Sequence, residues 1–65
     1  MKLEYFLKKY IVVTKKDGKK ISGILMDILE GDSDDMGFIT LVIRLDNGKY
    51  KNIHLIEVET IGEVE

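Results

Sequence analysis

Sixty-five residues with no cysteine and one histidine leave room for one domain and exclude disulfides, thiolate metal sites and a Cys/His zinc staple. The formal net charge of −2 is unevenly spread: residues 1–20 hold seven lysines against Glu4 and Asp17, while residues 21–65 hold three basic and ten acidic residues. A chain this short buries only roughly 60% of its unfolded surface, so it needs an efficient core or self-association; with no long apolar run, the expectation is a soluble, cytoplasmic protein without a membrane partner.

Leu3, Phe6, Leu7 and Tyr10 recur at i, i+3, i+4 and i+7, which predicts a short α-helix over residues 2–9 lying across one end of a sheet. Residues 10–15 (YIVVTK) and 20–29 (KISGILMDIL) read as the first two strands. Asp17-Gly18 between them reads as a two-residue hairpin turn, because Gly tolerates the positive φ such turns demand. Gly23 lies inside the second strand, where a glycine costs stability and marks a bend or bulge. Ile24, Met26 and Ile28 alternate to one side of that strand. Residues 30–37 form a polar, acidic loop.

A third strand over residues 38–45 places Ile39, Leu41, Ile43 and Leu45 on one face. Asn47-Gly48 is a strong hairpin signal, leading into a fourth strand over 49–55 and a fifth over 56–61. The expected fold is mainly β: a short helix, then a five-stranded, strongly bent antiparallel barrel forming a single domain over residues 1–65.

Val12 and Thr14, Gly18, Gly23, Leu25 and Ile28 together resemble the first motif of the Sm-like family of SH3-like barrels. The resemblance implies the helix-plus-five-strand barrel and the capacity to assemble into homo-oligomers. Two departures bear on function. The family's Asp-x-x-Met-Asn before the third strand is replaced by the longer, acidic run from Leu29 to Gly37, which has no Asn. If Val58 and Ile61 hold the spacing of the second motif, His54 and Leu55 occupy its Arg-Gly places. The RNA-contact residues of the family therefore do not carry over.

Four groups of residues are candidates for chemistry. Asp32, Asp34 and Gly37 open like a calcium loop, but Met36 fills a ligand position and Ile43 stands where a bidentate Glu belongs. A solvated acidic loop accounts for the run, so no metal or cofactor is implied. Lys15, Lys16, Lys19 and Lys20 could meet nucleic-acid phosphates, with Tyr10 and Tyr50 offering stacking faces; lysines at a hairpin end also serve simply to keep it soluble and unpaired. His54 has no Ser or Cys nucleophile beside it. Glu57 and Glu59, read as alternating on the fifth strand, define its wet face more simply than they define an acid–base pair. The expectation from these readings is a protein that is not an enzyme. The leading expectation is a binding or assembly module with a protein partner, or a second copy, at an apolar edge formed by Ile53, Leu55, Ile56 and Val58. The alternative is RNA or single-stranded DNA binding through the first hairpin.

Overall fold

The computed structural model describes residues 3–30 and 39–64. They form a 3-10 turn Leu3–Phe6, strands β1 Tyr10–Lys15, β2 Lys20–Leu29, β3 Thr40–Arg44 and β4 Tyr50–His54, a 3-10 turn Leu55–Glu57, and β5 Val58–Glu63. One antiparallel sheet takes the order β4-β3-β2-β1-β5. The protein is mainly β. The expected closure into a barrel is not present: β4 and β5 are the two ends of the sheet, not hydrogen-bonded neighbours.

The expected helix over 2–9 is replaced by the single turn Leu3–Phe6. An isolated helix of that length does not hold itself in water, and the sheet claims its backbone first. Lys8 N–H donates to the Leu25 carbonyl at 2.7 Å, and Leu25 N–H donates to the Lys9 carbonyl at 3.1 Å. Lys8 turns to φ 65 to make this possible. The apolar spacing still does its work, because Leu3 is buried and Phe6 and Leu7 pack against the core. Tyr10 leaves that group and begins β1.

Alternation along the strands puts Ile11 and Val13 of β1, Leu25 of β2, Leu41 and Ile43 of β3 and Ile53 of β4 into one core with Leu3. The expected face of β2 is corrected. Leu25 is the fully buried residue, and a bulge between Leu25 and Asp27 shifts the alternation, so that Ile24 lies on the outer side while Ile28 packs against the core.

β2 is shared between two partners. Residues from Lys20 to Ile24 pair with β1, and those from Ile24 to Leu29 pair with β3. Gly23 stands at the handover. A Cβ there would collide with the Arg44 carbonyl oxygen and come 2.7 Å from Ile43 Cγ2. Absence of a side chain, rather than an unusual φ, is what the position requires.

Both tight turns differ from the expected two-residue form. In the first, Gly18 N–H donates to the Lys15 carbonyl and Lys15 N–H to the Lys19 carbonyl, so residues 16–18 form the loop. In the second, Gly48 N–H donates to Leu45 and Leu45 N–H to Lys49, so residues 46–48 do the same. Only the glycines take positive φ, 90 at Gly18 and 85 at Gly48. This is a type I turn closed by a left-handed residue, not the mirror-image turn. Asp17 Oδ1 and Asn47 Oδ1 accept the N–H of Lys19 and Lys49, each at 2.9 Å.

The strand limits also move. β3 and β4 are shorter than the 38–45 and 49–55 expected. β5 runs over Val58–Glu63 instead of 56–61, because residues 55–57 are spent on the 3-10 turn. Among the described residues no helix is long and apolar enough to cross a membrane.

Candidate functional site: two open sheet edges and the groove between them

Backbone hydrogen bonds decide which polar groups the end strands leave free. The ladder between β3 and β4 is bracketed by Leu45 N–H to the Lys49 carbonyl and Leu55 N–H to the Ile39 carbonyl, each 2.8 Å. Antiparallel ladders alternate bonded and non-bonded pairs. Lys51 and Ile53, in step with Lys49 and Leu55, therefore aim their backbone at β3. Tyr50, Asn52 and His54 aim theirs outward. One outward donor is taken locally: His54 N–H reaches Glu57 Oε2 at 3.3 Å. On the other end strand, Val64 N–H donates to the Tyr10 carbonyl at 2.9 Å. By the same alternation Gly62 and Thr60 face β1, and Ile61 and Glu63 present their backbone to the open edge.

The two edges differ in charge. β4 is entered through Lys49 and carries Lys51 and His54, whereas β5 follows Glu57 and carries Glu59 and Glu63. Glu57 lies 3.4 Å from the Lys15 ammonium. The His54 N–H and then Lys15 hold its carboxyl below the usual glutamate range. Glu63 accepts from the Tyr5 hydroxyl at 3.3 Å and lies 3.9 Å from the Lys9 ammonium. Exposed pairs of this kind contribute little stability, so these carboxylates are held only loosely to their own chain.

Between the edges lies a groove of about 350 Å³ lined by Leu3, Ile39, Leu55, Val58 and Ile61, with Glu59 and Thr60 at its polar side. It follows from the unclosed sheet, which leaves Ile39, Leu55, Val58 and Ile61 half-covered above the buried Leu3. Ile56, on the adjoining 3-10 turn, is 60% exposed.

Of the four residues expected to form an associating edge, Ile53 is 2% exposed and belongs to the core. Leu55 and Val58 line the groove, and Ile56 projects beside it. The nucleic-acid group is divided. The register Tyr10↔Ile24, Ile24↔Arg44, Arg44↔Tyr50 places Tyr50 in the row where β1 begins, while Lys15, Lys16, Lys19 and Lys20 surround the turn where β1 ends. Lys15 is engaged by Glu57, and Lys16 N–H donates to the Glu57 carbonyl at 2.9 Å. Tyr10 is occupied too, its hydroxyl donating to Asp46 Oδ1 and Oδ2 at 2.9 and 3.0 Å.

His54 pairs through Nδ1 with the Thr40 hydroxyl at 3.1 Å, across the β3–β4 register. Glu57 belongs to the 3-10 turn and Glu59 to β5, so the expected pair on one strand face does not form. The acidic run 32–37 read against a calcium loop lies outside the described residues. Among the described residues no group of three potential metal ligands is brought together.

Sequence reasoning missed two things here. One is the register of β3 against β4: a two-residue turn would pair Asp46 with Lys49, whereas the three-residue turn pairs Leu45 with it. The other is Arg44, which stands between Ile24 and Tyr50 on the outer side of the sheet, with no signal in its local sequence to mark it.

The chain matches no family model, no curated protein and no solved structure.

Proposed function

We propose that the protein is a non-catalytic assembly module that associates with further copies of itself through its two open sheet edges. The observation that carries this reading is the pair of end strands, each with outward backbone groups and each with a different charge. An edge strand with unpaired N–H and C=O groups is a template for strand addition. Pairing β4 with β4, or β5 with β5, sets like charges side by side. Pairing β4 of one copy with β5 of another sets lysine and histidine against glutamate. The groove gives such a contact apolar area to cover, and a small core gives the chain a reason to cover it.

The strand order β4-β3-β2-β1-β5, the long β2 with a glycine at its handover and the 3-10 turn before β5 support a finer assignment of the fold to the SH3-like small barrels, of Sm-like kind. That assignment is part of the proposal.

Sedimentation velocity tests it. The expected result is a species larger than a monomer at micromolar concentration that shifts toward monomer as salt is raised, since edge charges are screened. A monomer throughout the micromolar range at low salt overturns it.

A further inference from the structure

Asn47 and Gly48 do more than reverse the chain. We infer that Asn47 is a site of self-catalysed deamidation, in which the Gly48 nitrogen closes on the Asn47 carboxamide and the turn accepts the aspartate that results. Water is the only reagent, so the change is independent of any association between copies.

Asparagine is among the thermolabile residues, and the turn sets up its reaction. The electrophile is the Asn47 side-chain carbonyl. Its oxygen accepts the Lys49 N–H at 2.9 Å, which folds the carboxamide back over the Gly48 peptide. The same N–H stabilises the negative charge that gathers on Oδ1 as a nucleophile adds, as an oxyanion donor does. The nucleophile is the Gly48 nitrogen, next in the same chain, so the addition is intramolecular. Glycine gives this nitrogen no flanking side chain, and a Cβ built there meets nothing within 4 Å. Both residues are exposed, so water reaches them. One contact restrains the step. Gly48 N–H donates to the Leu45 carbonyl at 2.9 Å, and the nitrogen must lose that proton to attack. The restraint is one backbone bond at an exposed hairpin tip, where local opening costs least.

The Gly48 nitrogen bonds to Cγ of Asn47, and the side-chain amide leaves with the displaced proton as ammonia. A five-membered imide remains. Water opens it at Cγ to give aspartate, or at the main-chain carbonyl to give isoaspartate, whose backbone runs through Cβ. The fold distinguishes these products. Asp17 already holds the equivalent place in the first turn, its Oδ1 on the Lys19 N–H at the same 2.9 Å, so aspartate at 47 keeps the loop. Isoaspartate adds an atom to the main chain and shifts Gly48 off the Leu45 carbonyl. Asp17 itself is spared: the Lys19 N–H holds it ionised, and a carboxylate is a poor electrophile. The product lowers the formal net charge of −2 by one and sets a second carboxylate beside Asp46, the group that takes the Tyr10 hydroxyl.

Asn52, the other asparagine of the chain, is an internal control. It lies within β4, and the next nitrogen belongs to Ile53, which is β-branched and buried. The full chain is kept in mildly alkaline buffer without denaturant, then digested with trypsin and read by mass spectrometry. Cuts after Lys49 and Lys51 separate the two asparagines. The Asn47 peptide is expected to gain, with time, the mass of NH2 replaced by OH, while the Asn52 peptide keeps its amide. An intact Asn47, or equal conversion at both positions, overturns the inference. Asn47→Gln, which would have to close a six-membered ring, is expected to stay unmodified; conversion at the native rate would overturn the proposed route. Asn47→Asp is the product made directly, and its urea midpoint is expected to stay close to the native one. A midpoint well below that, or failure to fold, would overturn acceptance of the product by the turn.

Discussion

The β1–β2 and β3–β4 hairpins share one backbone plan. Each turns through three residues, each ends its loop on a glycine near φ 90, and each uses an Asp or Asn side chain to accept the following N–H. They differ in how they are fastened to the rest of the molecule. The first is held near its tip by Glu57, through the Lys15 ammonium and the Lys16 N–H. The second is held by the Tyr10 hydroxyl, which reaches from the start of β1 to Asp46. The turn is a local matter that four residues decide. The fastening depends on elements far away in the chain, and its direction is reversed in the two cases: the first hairpin donates, from the Lys15 ammonium to the Glu57 carboxylate and from the Lys16 N–H to the Glu57 backbone carbonyl, whereas the second accepts, its Asp46 carboxylate taking the Tyr10 hydroxyl.

The most severe way to break the comparison is to sever what joins the hairpins. Gly23→Ala places a methyl group against the Arg44 backbone where β2 passes from β1 to β3. A loss of about 3 kcal/mol is expected in urea denaturation, enough to unfold much of a domain this small at room temperature. Next come the turns themselves. Gly18→Ala and Gly48→Ala force a side chain into the left-handed region in open space. Each should cost about 1 kcal/mol, and equality of the two losses checks that the turns are equivalent.

Acid separates the hairpins with a smaller effect. The Lys19 N–H holds the Asp17 carboxyl below its usual value. A carboxyl whose folded pKa is lowered contributes stability above the unfolded value, and that contribution fades as pH falls through the folded one. Asn47 does the same work without a charge. Asp17→Asn should therefore flatten the acid side of the stability profile, read as the urea midpoint against pH; an unchanged slope would contradict the assignment. The smallest effect lies at the alkaline end. Hydrogen bonding to Asp46 raises the Tyr10 phenol above the ordinary tyrosine value. Its contribution is present below that value and is lost as pH rises through the raised one, so Tyr10→Phe should remove an alkaline loss of stability that the native chain shows.

Much of this fold was legible in the residues. β1 and β2 follow directly from their alternating aliphatic residues and the Asp-Gly break between them, and the core residues of β3 follow from Leu41 and Ile43 at a period of two. The glycine inside β2 correctly announced a special position. What remained hidden was tertiary. The periodicity of Leu3, Phe6 and Leu7 fits a helix as well as it fits a turn that docks, and only the bonds from Lys8 and Lys9 to Leu25 choose between them. A bulge after Leu25 moved the core face of β2 without any mark in the sequence. Of the site, the β4 and β5 edges were expected, but Ile53 was assigned to the surface because a run of apolar residues does not say which side of an edge strand is buried. The lysine hairpin and Tyr50 were grouped by composition, and the register separated them.

β1 is flanked by β2 and β5, with Ile11 opposite both Gly23 and Glu63. The first of these contacts closes a short loop and the second spans most of the chain. The entropy of loop closure makes the second the slower to form. Of the two ladders on β1, the one with β5 therefore carries the larger closure cost, and the acidic residues of β5 are held in place by the part of the sheet that is entropically hardest to join.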